Sequence, residues 1–358
     1  MDLPGRAKIM LNIKISIPSF SDKINIAQFV GNTQNIGFGC KFYINDPTLQ
    51  EADYWFVIDD LRLQEETVCI NKEKVYFVSA EVVYEKGYFD DPRSTAFLDQ
   101  FSNIITCHDI YRENTKYDIP FSPWMINANH GPSVFGISTR DINWFKENHS
   151  INKTKKISVF CSNQQQNADH RLRLKFVSAI KKHFGDTLDW YGNGINPLPE
   201  KWGGIAPYKY HIVIENQSRN NIITEKLFDC FLGMAYPIYY GAPNANEFFD
   251  PNSFTQIDIM DYNGSIRKIE EVIKEDRWEK KLPLLIESKN RVLYDYNLFK
   301  RLAEVSINAE LTSSNKTKQN ISLRSLNHVS PKSFGEKLAT RSGILLQHFS
   351  NKLLKLGE

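Results

Sequence analysis

Long apolar runs are missing from this chain of 358 residues. Nothing in it approaches the roughly 20 residues that a membrane-spanning helix needs, and the N-terminus has no signal-peptide core. Cysteine is sparse: Cys40, Cys69, Cys107, Cys161 and Cys230 are odd in number, scattered and without a C-x-x-C pair. A disulfide framework or zinc site is therefore not expected, and free thiols in a reducing compartment are. Basic excess is absent as well. The formal net charge is +2 with no dense cationic stripe, so no nucleic-acid partner is expected. No Walker loop, G-x-G-x-x-G or G-x-S-x-G occurs, which removes the common ATPase, dehydrogenase and hydrolase readings. Internal repeats are lacking too.

What is present suits two ordinary domains with substantial cores. Hydrophobic residues make up 41% and charged residues 24%, a globular balance, and aromatics reach 13%. "NIKIS" (12–16), "YWFVIDD" (54–60) and "KVYFVSAE" (74–81) alternate like strands that end in polar turns. "AFLDQFSNIIT" (96–106) reads as a short helix leading into a strand, and the polar stretch 141–156 as a linker. A second series follows: strand "KISVFCS" (156–162), a helix over 169–184 with Leu172, Phe176, Ile180 and Phe184 on one face, and strand "LDWYGNG" (188–194) ending in a glycine turn. "YHIVIEN" (210–216) has the continuous apolar character of a strand buried on both faces; a helix over 224–235 and strand "YPIYYG" (236–241) complete the alternation. The fold class is α/β with parallel sheets. We expect an N-terminal Rossmann-like domain over 1–150, a second domain over 151–275, and helices over 276–304 bracing the two. A flexible Ser/Asn/Lys-rich tether and an amphipathic helix should occupy 305–358. That helix ("GILLQHFSNKLLKLGE", 343–358) suits a membrane surface, a partner, or its own protein.

The stretch "IITEKLFDCFLGMAYPIYYG" (222–241) carries the chemistry. Thr224 is a natural N-cap, which puts Glu225 and Lys226 in the first helical turn. A lysine there opposes the helix dipole, and a bound phosphate would offset the cost while the free backbone N–H groups bind it. The preceding strand delivers "IEN" to the same end, where open α/β sheets bind ligands. An exposed amphipathic first turn is the competing reading.

"YKYHIVIENQSRNNIITEKLFDCFLGMAYPIYYGAPNANEFFDPNSF" (208–254) resembles the signature of the family 10 glycosyltransferases, the α-1,3/α-1,4-fucosyltransferases. The resemblance is strong over about 155–260. It implies a GT-B architecture, with two Rossmann-like domains facing across a cleft, and a metal-independent, inverting transfer from GDP-fucose to a glycan. Carried over residue by residue, Lys226 matches the family's phosphate-binding lysine, Glu225 the acid that contacts donor hydroxyls, and Asn216 the asparagine near the phosphates. "SNQQQNADHRLRLKF" resembles a further family segment and assigns Arg173 to the diphosphate, with Arg171 as competitor. Tyr191 falls near a second pocket-lining segment. One departure stands out: Ile222-Ile223 replaces the usual Tyr-Val, so a hydroxyl is missing at Ile222 and the identity of the donor sugar stays open.

Family members place the base that deprotonates the acceptor just after an N-terminal strand; the equivalent here is Glu81, with Glu85 as fallback. Asp59 and Asp60 are read as turn residues rather than as a metal-binding pair, and no metal is expected. His108, His130, His170 and His211 have no ligand spacing, and His211 reads as structural. The implied function is α-1,3-fucosyl transfer to a cell-surface polysaccharide or lipopolysaccharide, by a cytoplasmic enzyme held peripherally at the inner membrane through its last helix. The alternatives are transfer of another sugar from GDP or UDP, and a non-catalytic glycan- or nucleotide-binding protein of the same fold.

Overall fold

The computed structural model describes residues 10–18, 24–80, 89, 91–110, 112–127, 140–148, 150–312 and 317–330. It divides into two units. One comprises Met1–Asp22, Gly39–Pro120 and Leu302–Glu358; the other comprises Lys23–Phe38 and Phe121–Arg301.

In the first unit six parallel strands lie side by side in the order Cys40–Ile44, Leu11–Ser16, Tyr54–Ile58, Val75–Val78, Asn103–Thr106, Thr115–Tyr117. Every residue of Tyr54–Ile58 and of Val75–Val78 is buried. That explains their unbroken apolar character, since a parallel sheet is covered on both faces. Asp59 ends its strand in the left-handed region at φ 62° and accepts the N–H of Ala80, while Asp60 accepts from Leu61 and Leu326. The pair are turn residues, as expected.

Three expectations need correction. The region 305–333 is not a tether where it is described. Leu298–Thr312 is helical, with Glu310 bonded to Lys74 and Tyr54, and Gln319–Arg324 pairs antiparallel with Glu65–Ile70. Polar composition misled here because only one edge of the helix is buried and, in the strand, only Leu323, with Ile321 half-buried. The domain division differs too, because the chain returns after 301 to the first unit. Nor is 141–156 a linker. Ile142–Glu147 is a helix capped by Asp141, with Ile142 and Phe145 buried, and the wholly buried Lys289 ammonium donates to the carbonyls of Phe145 and Asn148 at its end. Desolvation pulls the Lys289 pKa down to about 8.

The second unit has five parallel strands in the order Leu188–Tyr191, Lys155–Phe160, Tyr208–Ile214, Tyr236–Tyr240, Thr255–Gln256. The helix Ala168–Phe184 follows the strand Lys155–Phe160, and the helix Glu225–Leu232 follows Tyr208–Ile214. Phe176 and Ile180 are buried on the first helix, and Leu227, Phe228, Phe231 and Leu232 on the second. The second helix is fixed by rings: Phe228 stacks on Tyr296 at 5.7 Å and 3°, and Phe231 meets Phe249 at 4.8 Å. Such pairs stabilise by about 0.5–1.5 kcal/mol each beyond the area they bury.

The turn after Leu188–Tyr191 is locked to the turn after Lys155–Phe160. Cys161 N–H donates to Tyr191 O at 2.9 Å and Asn163 N–H to Asn193 O at 3.1 Å. Gly192 adopts φ 148°, and a Cβ there would lie 2.5 Å from Cys161 O and 2.9 Å from Ser162 N, both backbone atoms that cannot yield cheaply. Gly192→Ala is therefore expected to destabilise the protein by about 2–4 kcal/mol from strain and overpacking. Thermal denaturation checks this: a melting temperature within about 1 °C of the parent would contradict the close approach.

Candidate active site

Numbered along the chain, the strands of the second unit run 2-1-3-4-5. An order of this kind reverses direction beside strand 1 and opens a crevice between the carboxyl ends of strands 1 and 3. Strand 1 is Lys155–Phe160 and strand 3 is Tyr208–Ile214. The helices that follow these two strands carry Arg173 and Lys226 respectively. The two cations are close enough for Arg173 to act against the protonation of Lys226. Arg173 Nε is buried and makes no hydrogen bond among the described residues.

Thr224 is the N-cap of helix Glu225–Leu232, its hydroxyl accepting the Lys226 N–H at 3.5 Å. Thr224 is itself held by Glu215, which is fully buried just beyond strand 3. Glu215 Oε1 accepts the Thr224 N–H at 2.8 Å and Oε2 accepts its hydroxyl hydrogen at 2.7 Å. The Lys226 ammonium lies 3.4 Å from Glu215 Oε2, 3.1 Å from Glu225 Oε1 and 3.2 Å from Thr224 Oγ1. One turn on, Asp229 accepts the Met125 N–H at 2.7 Å and the Lys201 ammonium at 2.9 Å, with Lys201 3.7 Å from Glu225. Three carboxylates and the two lysines thus share one end of one helix, and Arg173 adds a third cation within reach.

Burial sets the direction for most of this cluster. It raises Glu215, an effect that Lys226 opposes and Glu225 reinforces. Burial likewise pushes Asp229 up to about 6 against the pull of Lys201. For Glu225 burial also acts upward, but Lys226 and Lys201 overcome it and hold the carboxyl down at about 2. Lys226 loses proton affinity to burial and regains more from Glu225 and Glu215, so it stays charged throughout the neutral range. The cluster is a charged lysine pre-aimed beside the free N–H groups of a helix start, where phosphate oxygens are favoured.

The residues expected from sequence fare differently. The structure gathers Thr224, Glu225 and Lys226 at one helix start, with Arg173 near enough to act on Lys226 electrostatically, and Asn216 follows Glu215 directly, half-buried. Arg171 is exposed and donates to Gln165 O at 3.1 Å, turned back along its own chain. Tyr191 is not drawn in. Its hydroxyl bonds that of Tyr208 at 2.7 Å, and Tyr208 in turn donates to Asp189. Tyr208 begins strand 3, about 20 Å from the end that carries Glu215 at ~3.3 Å per residue. His211 is structural: it pairs with Ser158 Oγ at 2.8 Å, and burial holds its pKa down to about 3. Glu81, Glu85, His130 and the 343–358 helix lie outside the described residues. Glu215, Lys201 and Asp229 carried no sequence expectation of their own. Asp229 had a signal, a lone acid between Phe228 and Cys230 and four residues from Glu225, where like charges face each other unless a cation intervenes.

Comparison with known proteins accords with this geometry. Residues 150–279 match the family model described as glycosyltransferase family 10 (fucosyltransferase) C-term. The 3-galactosyl-N-acetylglucosaminide 4-alpha-L-fucosyltransferase FUT3 of Pan troglodytes is 22% identical over 169 residues, 45% of this chain and 39% of the relative. The alpha-(1,3)-fucosyltransferase FucT of Helicobacter pylori is 30% identical over 63 residues, 17% of this chain and 13% of the relative. The matched stretch thus spans less than half the length of these curated relatives. Among solved structures, an alpha1,3-fucosyltransferase with GDP-fucose is similar with TM-score 0.50 at 14% identity, covering 88% of this chain and 95% of the other. The same enzyme class crystallised with GDP gives TM-score 0.51 at 16% identity over 88% and 94%. Two parallel α/β units with this fold likeness give the chain the GT-B fold. The domain formed by residues 150–279 belongs to glycosyltransferase family 10.

Folding favours the protonated form of Asp229, so its contribution to stability falls as pH rises from its ordinary 3.8 to about 6. Glu225 works the other way, its contribution being lost as pH falls from 4.5 toward 2. Carboxyl NMR should find Asp229 titrating near pH 6. In Lys201→Met the midpoint should move higher, because the ammonium that opposes burial is gone; a midpoint near 4, or a downward move, would contradict the arrangement.

Proposed function

We propose that the chain is an inverting α-1,3-fucosyltransferase that moves fucose from GDP-fucose to a hydroxyl of a cell-surface polysaccharide or lipopolysaccharide. The observation that carries this reading is that Lys226 and Arg173, on the two helices that follow the strands flanking the switch-point crevice, are near enough to act on each other electrostatically, within the stretch that matches family 10. In the reaction the acceptor oxygen bonds to the anomeric carbon as the bond to the β-phosphate oxygen breaks, and GDP leaves with the electron pair. The developing charge on the diphosphate needs cations and oriented donors that are already in place. Lys226, Arg173 and the N–H groups of the Glu225–Leu232 helix supply them, and the reaction in this reading needs no metal. Asn216 lies against the same crevice, and Glu225 takes donor hydroxyls. The proton of the acceptor passes to a carboxylate, the role assigned to Glu81. The enzyme works in the cytoplasm, with residues 343–358 as a peripheral contact at the inner membrane.

One observation favours keeping a second donor in view. Ile222 is 1% exposed, so its side chain is sealed in the core and offers the donor no hydroxyl. Turnover across a panel of GDP- and UDP-sugars decides between the readings. GDP-fucose is expected to be preferred, and Lys226→Ala to lower kcat/KM on the order of 10²–10³-fold, the usual loss when one charge-stabilising donor is removed. Preference for another nucleotide sugar would move the assignment to a related transferase. GDP binding without transfer of any sugar would leave a non-catalytic nucleotide-binding protein.

A further inference from the structure

We propose that Glu215 is a positioning residue for the anion site, a buried carboxylate that aims Lys226 at the diphosphate through Thr224 without itself touching the ligand. The inference rests on the reading above and assigns a role to a residue outside the set expected to touch the donor.

Geometry carries it. Both Glu215 oxygens are turned into the protein: Oε1 takes the Thr224 N–H at 2.8 Å, and Oε2 takes the Thr224 hydroxyl at 2.7 Å with the Lys226 ammonium 3.4 Å away. No side-chain exposure is left, so the carboxylate acts only through what it holds. Its own seat is narrow, because a Cβ on Gly241 would come 2.6 Å from Glu215 Cγ and 2.1 Å from Tyr239 Oη. Tyr239 in turn donates to Ile222 O and accepts the Ala242 N–H, so the walls of the seat are themselves bonded. Burying a carboxylate is unfavourable unless its partners are fixed, and these partners are the N-cap and the cation of the candidate site.

Glu215→Gln isolates the charge. A glutamine can still accept the Thr224 N–H with its oxygen and donate to Thr224 Oγ1 with its amide, which preserves the fold. That amide then presents donors to the Lys226 ammonium, which has only donors of its own, and Lys226 is released. The expected results are a melting temperature within a few degrees of the parent and GDP affinity about tenfold weaker by calorimetry. In a Lys226→Met background the same change should alter GDP affinity less than about twofold, since a residue that acts through Lys226 has nothing left to act on. An equal loss in both backgrounds, no loss, or tighter binding overturns the proposal. If Lys226→Met alone leaves GDP affinity unchanged, the anion-site reading itself fails, a distinguishable outcome.

Should Glu215→Gln not fold, the native protein decides. The groups facing Glu215 are Lys226, Glu225 and Tyr239, with Lys201, Asp229 and Arg173 around them. GDP affinity should fall as pH drops through the titration of the Glu215 carboxyl resonance, in native protein and not in Lys226→Met. An affinity unchanged across that titration, or equally changed in both, overturns it.

Discussion

Glu215 gives up water entirely and takes in exchange two hydrogen atoms from Thr224 and the field of Lys226. That exchange fixes where the helix Glu225–Leu232 begins, and with it where the backbone donors and the ammonium point. A buried carboxylate stripped of its partners would cost several kcal/mol, so the strand end, the loop over 216–223 and the first helical turn behave as one piece. The aromatic packing of Phe228 and Phe231 behind the helix serves the same end from the other side. Charge in front and rings behind leave the helix little freedom to shift, which suits the proposed role of meeting a diphosphate without reorganising.

Much of this was legible in the residue order. Strands buried on both faces announce themselves as unbroken apolar runs, and Tyr54–Ile58 and Tyr208–Ile214 did so. Thr224 and Glu225 declared a helix start because each has a positional preference there, and Lys226 stood out because a cation in the first turn opposes the dipole. Contacts between sequence-distant residues were not legible. Lys201 reaches Asp229 across 28 positions, and no local rule pairs them. Tyr191 shows the converse error. A residue that falls near a pocket-lining segment of the resembled family was expected at the donor, whereas its hydroxyl runs back to Tyr208. The segments 141–156 and 305–333 failed for a single reason: short elements that bury only two or three side chains carry too few apolar residues to outweigh their polar faces.

The family likeness is concentrated in one domain, yet the first unit repeats the same logic. Its strands also begin in the order 2-1-3-4-5, so the physical rule that locates a ligand crevice at a strand-order reversal applies to it as well. Topology preserves what identity over the rest of the chain does not.

The strand Gln319–Arg324 lies against Glu65–Ile70, with partners such as Arg324 and Glu65 separated by 259 positions. During synthesis the ribbon edge of Glu65–Ile70 must wait, uncovered, while Phe121–Arg301 of the second unit is made. The second unit's own residues end at Arg301, so all of them are made before the covering strand is. Closing so long a loop costs little more entropy than closing one half its size, because the penalty grows only logarithmically. The cost is one of time: an unpaired strand edge is open to other chains until the last segment leaves the ribosome, and a message cut short after the helix would leave it open permanently.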